Sequence, residues 1–309
     1  MLQKKITVTA DPRYPLPGLL TLPEGASGQV PAVVFVHGSG ASNMDEKVGA
    51  LTPFRDLAEG LAGHGIASIR YDKRTHAHGF KLLRDKSCPV TVGIETIDDA
   101  IAAADLLRGD PRIDPDRIFI AGHSMGAMLA PRIDAQGGNF RGLILLAGSP
   151  RRLEEIMMDQ QAAALAGIPR LLAPLVRKQV DKLRRQFAEM YQMTDDEALK
   201  VKMGGGTTLY YFKEMGEHPA PMYLEKTQKP MLILQGELDF QATAALDFAG
   251  YKSLLGHREN VRFKLYPGLN HAFVPALSGS ILKAKQEYKT ERHIGPEVIA
   301  DIANWIRAN

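Results

Sequence analysis

Short apolar runs of strand character recur along this chain with helical stretches between them, and that alternation limits the possible folds more than any other feature. Ala32-Val33-Val34-Phe35-Val36 is continuous and β-branched, the pattern of a strand buried on both faces. Phe54 to Ala62 reads as a helix and Ala67 to Tyr71 as the next strand. Ile94 to Leu107 carries apolar residues at helical spacing and stops at Gly109-Asp110-Pro111. Arg117 to Ala121, Met125 to Ile133 and Leu143 to Ala147 continue as strand, helix and strand. Two shorter strands, Lys5 to Thr9 and Leu19 to Leu22, precede the series. The order predicts an α/β fold with a mostly parallel central sheet flanked by helices.

The alternation breaks over 151–228, where no strand pattern is found. Leu153, Ile156, Met157, Ala164 and Leu165 share one helical face, and Leu172, Leu175, Val176, Leu183 and Phe187 trace another. Thr194 and Glu197 form a capping-box start for a third helix, which Gly204-Gly205-Gly206 is expected to end. Strand and helix then resume with Met231 to Gln235, a helix near Ala242 to Leu255, a strand at Val261 to Tyr266 and a last helix from Pro296 to Arg307. The expected organisation is a core of 1–150 and 229–309 with 151–228 as a helical cap insertion.

Composition narrows the function classes. A net charge of +3 on 309 residues gives no electrostatic case for nucleic acid. The densest basic stretch, Arg177 and Lys178 through Lys182, Arg184 and Arg185, reads as the solvated face of a helix. No apolar run is long enough to span a bilayer. The N-terminus, Met1 to Thr7, lacks the apolar core of a signal peptide, so a cytoplasmic location is the expectation. A single cysteine, Cys88, excludes an internal disulfide and a cysteine-rich metal site. His76 and His78 lack a further ligand set at suitable spacing, so no metal is expected there.

Gly122-His123-Ser124-Met125-Gly126 fits G-x-S-x-G. With this composition the bare pattern arises by chance in roughly one chain in ten, so its context must carry the argument. It lies between the strand-like Ile118 to Ala121 and a helix beginning near Met125. A strained strand-to-helix turn needs small residues around a nucleophile and lifts its oxygen above the sheet edge. A serine hydroxyl also needs a base, and the base needs orienting. Asp239 lies just past the strand Met231 to Gln235, and His271 follows the strand ending at Tyr266, in the order Ser, Asp, His. Glu237 competes for the acid role, with Asp239 preferred. His37-Gly38-Ser39-Gly40 follows the Ala32 to Val36 strand, where an oxyanion donor is expected: the amides of Ser39 and Met125, with Gly40 an alternative to Ser39. His37 reads as a structural turn residue and Asp72 and Arg74 as an ion pair near the rim of the site. Met157, Met158, Tyr210 and Tyr211 are candidates for an adaptable apolar substrate wall.

On these residues the chain resembles the bacterial carboxylesterases of the α/β-hydrolase superfamily, near the dienelactone-hydrolase-like and serine aminopeptidase-like groups. The matching stretches are Val36-His37-Gly38-Ser39-Gly40, Arg70-Tyr71-Asp72-Lys73-Arg74-Thr75, Asp114 to Ile118, Gly122 to Gly126, Gln235-Gly236-Glu237-Leu238-Asp239 and Asn270-His271. The resemblance implies hydrolysis of small acyl or aryl esters, a small-molecule ester as the partner, and no cofactor. Ser124 stands where dienelactone hydrolases carry cysteine, which argues against that activity. Thioester, amide or aminoacyl-peptide hydrolysis would use the same residues, and a non-catalytic ligand-binding protein would have lost one of them. Oligomeric state is not legible in the sequence.

Overall fold

The computed structural model describes residues 1–309 apart from 27, 83, 86, 88 and 170–172, so Cys88 and Leu172 lie outside the described residues. Eight strands form one sheet: β1 (Leu2–Val8), β2 (Leu16–Leu22), β3 (Val30–Val36), β4 (Ala67–Tyr71), β5 (Ile113–His123), β6 (Leu143–Leu146), β7 (Met231–Gly236) and β8 (Val261–Tyr266). Their order across the sheet is β1-β2-β4-β3-β5-β6-β7-β8. The first two pairings, β1 with β2 and β2 with β4, are antiparallel, and every later one is parallel.

The alternating side chains explain why the central strands read as continuous apolar runs. Val34, Val36, Ile118, Ile120, Leu143 and Leu145 feed one core, while Val33, Phe35, Phe119, Ala121, Ile144 and Leu146 feed a second on the opposite face. Helices α1 (Pro53–Gly63) and α12 (Pro296–Ala308) cover the second core, each starting with proline in its first turn. Their buried faces, Phe54, Leu57 and Leu61 with Val298, Ile302 and Ile306, recur every three or four residues. The first core lies under α3 (Asp98–Arg108), α4 (Met125–Ile133) and α10 (Ala249–Leu255).

Several sequence boundaries shift. Helix α3 is preceded by a π-helical turn at Gly93–Ile97, and α10 by another at Ala244–Phe248. Helix α2 (Arg74–Leu82) occupies a stretch that carries no clear apolar face and was not expected. Within 151–228 lie α5 (Leu153–Ala166), α6 (Ala173–Glu189), α7 (Asp195–Lys200), α8 (Leu209–Glu217) and α9 (Ala220–Leu224), with no strand among the described residues. The Thr194–Glu197 capping box opens α7, but the helix ends at Lys200, before the glycine run, because the chain leaves it to pair Lys202 with Thr208. On α6 Phe187 is buried and Leu183 packs against the core as expected, Val180 joins them on the inward face, and Leu175 is exposed. A short helix, α11 (Ala284–Glu287), lies between β8 and α12.

The chain passes from β3 to β4 on one side and returns to β5 on the other. The carboxyl ends of β3 and β5, paired through Val36 and Gly122, therefore border the point where the winding reverses. In open α/β sheets that crevice is where ligands bind.

Candidate active site

Ser124 stands at that point, between β5 and α4, with φ 54° and ψ −120°. A non-glycine residue held at such angles is strained by about 1–3 kcal/mol, and such strain gathers at functional sites. The flanking glycines make the turn possible. A methyl group on Gly122 would strike the Gly126 backbone, and one on Gly126 would strike the Val36 carbonyl oxygen. The Ser124 amide donates to the Leu146 carbonyl at 2.8 Å, fixing the turn to β6. Ala127, one residue beyond the elbow, packs against Gly148, where an added Cβ would lie 2.6 Å from its methyl.

His271 follows β8 in a loop that Asn270 shapes from within. The Asn270 side chain accepts the amides of Ala272 (3.0 Å) and Val274 (3.3 Å) and donates to Glu287 on α11 at 2.9 Å. His271 Nδ1 lies 2.7 Å from Asp239 Oδ2, and both side chains are buried. Asp239 is itself held by the Gln235 amide nitrogen (2.8 Å) and by the backbone N–H groups of Gln241 (2.7 Å) and Ala242 (3.1 Å). These donors satisfy a buried carboxylate that would otherwise be costly to desolvate. Glu237 points elsewhere and accepts the Gly268 amide at 3.2 Å at the surface.

A cavity of about 460 Å³ opens over these groups, lined by Ser39, Gly40, Ser124, Met125 and His271 together with residues of 151–228. Among the described residues, the amides of Ser39 and Met125 donate to no protein acceptor. Gly38 lies against the turn at Ser124, its missing Cβ 3.1 Å from Ser124 Cβ. Of the four expected wall residues, Met157 and Tyr211 line the cavity; Met158 and Tyr210 do not. Successive helical residues diverge by about 100°, which turns Met158 on α5 and Tyr210 on α8 past the edge of the faces that line the cavity. Ile156 and Phe212 line it instead, beside Met128 from α4.

The structure corrects the expected Asp72–Arg74 pair. Arg74 is buried against Asp99 on α3 through its Nε (3.1 Å) and Nη2, while Asp72 accepts the Met44 amide at 2.7 Å. The two side chains leave the strand end in different directions because α2 begins at Arg74. Burial raises the Asp99 pKa to about 6 against the opposing Arg74 charge. His37 is buried, its Nε2 donating to the Asn43 carbonyl at 3.0 Å, and burial lowers its pKa to about 4.

Several supporting residues escaped the sequence reading. Glu46 takes the Gly38 amide at 2.7 Å and lies 3.0 Å from His123 Nδ1. Burial opposes the charge on His123, but the Glu46 carboxylate outweighs it and raises the pKa; the Glu46 pKa is lowered despite its own burial, chiefly by His123. Lys73 and Glu95 form a further buried ion pair at 3.3 Å, with Thr75 and Tyr211 donating to Glu95 at 2.5 and 2.8 Å. Position in a short motif was the only signal for Lys73, and Glu46 offered none.

The alpha/beta hydrolase family profile matches residues 33–278. The chain is 34% identical to Esterase EstD of Thermotoga maritima over 98% of its own length and 67% of that protein. Among solved structures it is similar in fold to Est1E from Butyrivibrio proteoclasticus (TM-score 0.60, 16% identity, 99% of both chains). It is also similar to the esterase Pf2001 of Pyrococcus furiosus (TM-score 0.57, 16% identity, 99% of this chain and 91% of that one). The chain belongs to the alpha/beta hydrolase family.

Proposed function

We propose that this chain hydrolyses carboxylic esters through an acyl-enzyme, with Ser124 as nucleophile, His271 as general base and Asp239 as the group that orients it. Esterase activity itself follows from kinship with EstD across nearly the whole chain. The observation that carries the residue assignment is the 2.7 Å pairing of His271 with Asp239 beside the strained Ser124 in one cavity. His271 takes the Ser124 proton, the serine oxygen attacks the ester carbonyl, and the alcohol leaves with that proton. Water then repeats the sequence and releases the acid. The Ser39 and Met125 amides, free of other acceptors, hold the oxyanion in both steps.

In this reading 151–228 is a cap that completes the substrate cavity. Met157, Ile156 and Phe212 present mostly apolar surface to it, which suits a small acyl or aryl group. The test has two arms. A serine-reactive phosphonate should label wild-type protein and leave Ser124→Ala unlabelled. A panel of acyl esters of increasing length, aryl esters, a thioester and an aminoacyl amide should give the highest kcat/KM on an ester. Labelling of the Ser124→Ala variant, or preference for the amide, would overturn the proposal.

A further inference from the structure

Lys73 is a fully buried lysine whose ammonium faces a single backbone unit of the candidate site. Its Nζ donates to the Gly38 carbonyl oxygen at 2.9 Å and pairs with Glu95 at 3.3 Å. The Gly38 carbonyl belongs to the same peptide unit as the Ser39 amide. No peptide bond among the described residues is cis, so that C=O and that N–H point in opposite directions. A cation on the oxygen draws electron density along the amide and makes the N–H a stronger donor, the more so in a site of low dielectric. The preceding unit is held as well, since the Gly38 N–H donates to Glu46 at 2.7 Å. Both faces of the loop are therefore fixed by buried charge, and Gly38 lies in contact range of Ser124.

We infer that Lys73 is a positioning residue for the hydrolysis: by bonding the Gly38 carbonyl it sets and strengthens the Ser39 amide as oxyanion donor. The inference rests on the proposed role of Ser39, and it selects Ser39 over Gly40, whose amide belongs to the next peptide unit. Glu95 anchors the lysine and is held in turn by Thr75 and by Tyr211 of α8, whose hydroxyl also lies 3.5 Å from Met125 Sδ. Helix α8 thus reaches the oxyanion loop through a buried chain of polar contacts.

A merely structural lysine would only balance the Glu95 charge, and a pair of variants separates the two roles. Lys73→Met leaves Glu95 unpaired, whereas Lys73→Met with Glu95→Gln removes both charges and keeps the cavity's polar wall. Removing one whole oxyanion donor lowers kcat by about 10²–10³, so weakening one should lower it by roughly 10- to 100-fold with KM little changed. The Ki of a trifluoromethyl ketone, which forms a tetrahedral oxyanion on serine, should rise by a similar factor in both variants. Phosphonate should still label Ser124 in both, more slowly but to completion, which keeps this test distinct from a failure of the nucleophile assignment. Recovery of wild-type kcat and ketone affinity in the folded double variant would reduce Lys73 to a counter-ion and overturn the inference.

Discussion

His123, the residue before the proposed nucleophile, donates through Nε2 to the backbone carbonyl of His271, the proposed base, at 2.9 Å. The two rings lie 4.7 Å apart between centroids. The other nitrogen of His123 faces Glu46, whose second oxygen holds the Gly38 amide. One buried pair therefore ties together the loops after β3, β5 and β8. In the proposed mechanism the relative placement of these loops sets the reaction geometry, and misplacement by about 1 Å can lower a rate by about 10²-fold.

The pH dependence of that pair has a definite sign. The raised His123 pKa contributes stability that is present below its unfolded value and lost as pH rises through the folded one. The lowered Glu46 pKa contributes stability that is present above its unfolded value and lost as pH falls through the folded one. The window common to both lies between the unfolded values, about pH 4.5 to 6.5. Glu46→Gln should therefore lower Tm more at about pH 5.5 than at about pH 9, relative to wild type at each pH. An equal loss at both would mean that the pair is uncharged in the folded protein.

His37 acts in the opposite sense. Its folded pKa of about 4 lies below the unfolded value, so the unfolded chain takes up a proton first as pH falls. Stability should decline between about pH 6.5 and 4, by about 3 kcal/mol in all from this group. His37→Gln keeps a donor for the Asn43 carbonyl and cannot titrate. Urea unfolding of that variant should show a correspondingly shallower acid slope, and an unchanged slope would place the acid sensitivity elsewhere.

Among the proposed catalytic groups, Ser124→Ala should lower kcat by on the order of 10⁴ or more in a folded protein. Ser124→Gly should be equally inactive but more stable than Ser124→Ala by about 1 kcal/mol, because glycine tolerates φ 54°. Asp239→Asn should approach the loss seen for serine, whereas Glu237→Gln should change kcat less than about 2-fold, as expected for an exposed side chain. A larger loss at Glu237 would transfer the acid role to it.

Substrate selectivity should follow which side chains reach the cavity. Met157→Ala should reorder kcat/KM across ester chain lengths by about 1–3 kcal/mol, and Met158→Ala and Tyr210→Ala should leave the order unchanged. The measurement is the full panel on each variant, with phosphonate labelling as the control for an intact site. A uniform loss on every ester for Met157→Ala would make it a packing residue.

The sequence by itself determined the parts that depend on near neighbours. The continuous apolar run of Ala32 to Val36, the small residues around Ser124 and the Thr194–Glu197 box each report hydrogen bonding or packing within a few positions, and each is found where the pattern placed it. The chain order of Ser124, Asp239 and His271 was legible because each follows a strand end, and parallel strands bring their carboxyl ends to one edge. Only the tertiary structure decided the partners across that edge. His123 meets His271 148 positions away, Tyr211 meets Glu95 across 116, and Arg74 turns from Asp72 to Asp99. Those choices follow from strand order and helix rotation, which place side chains together without leaving any local spacing for the sequence to reveal.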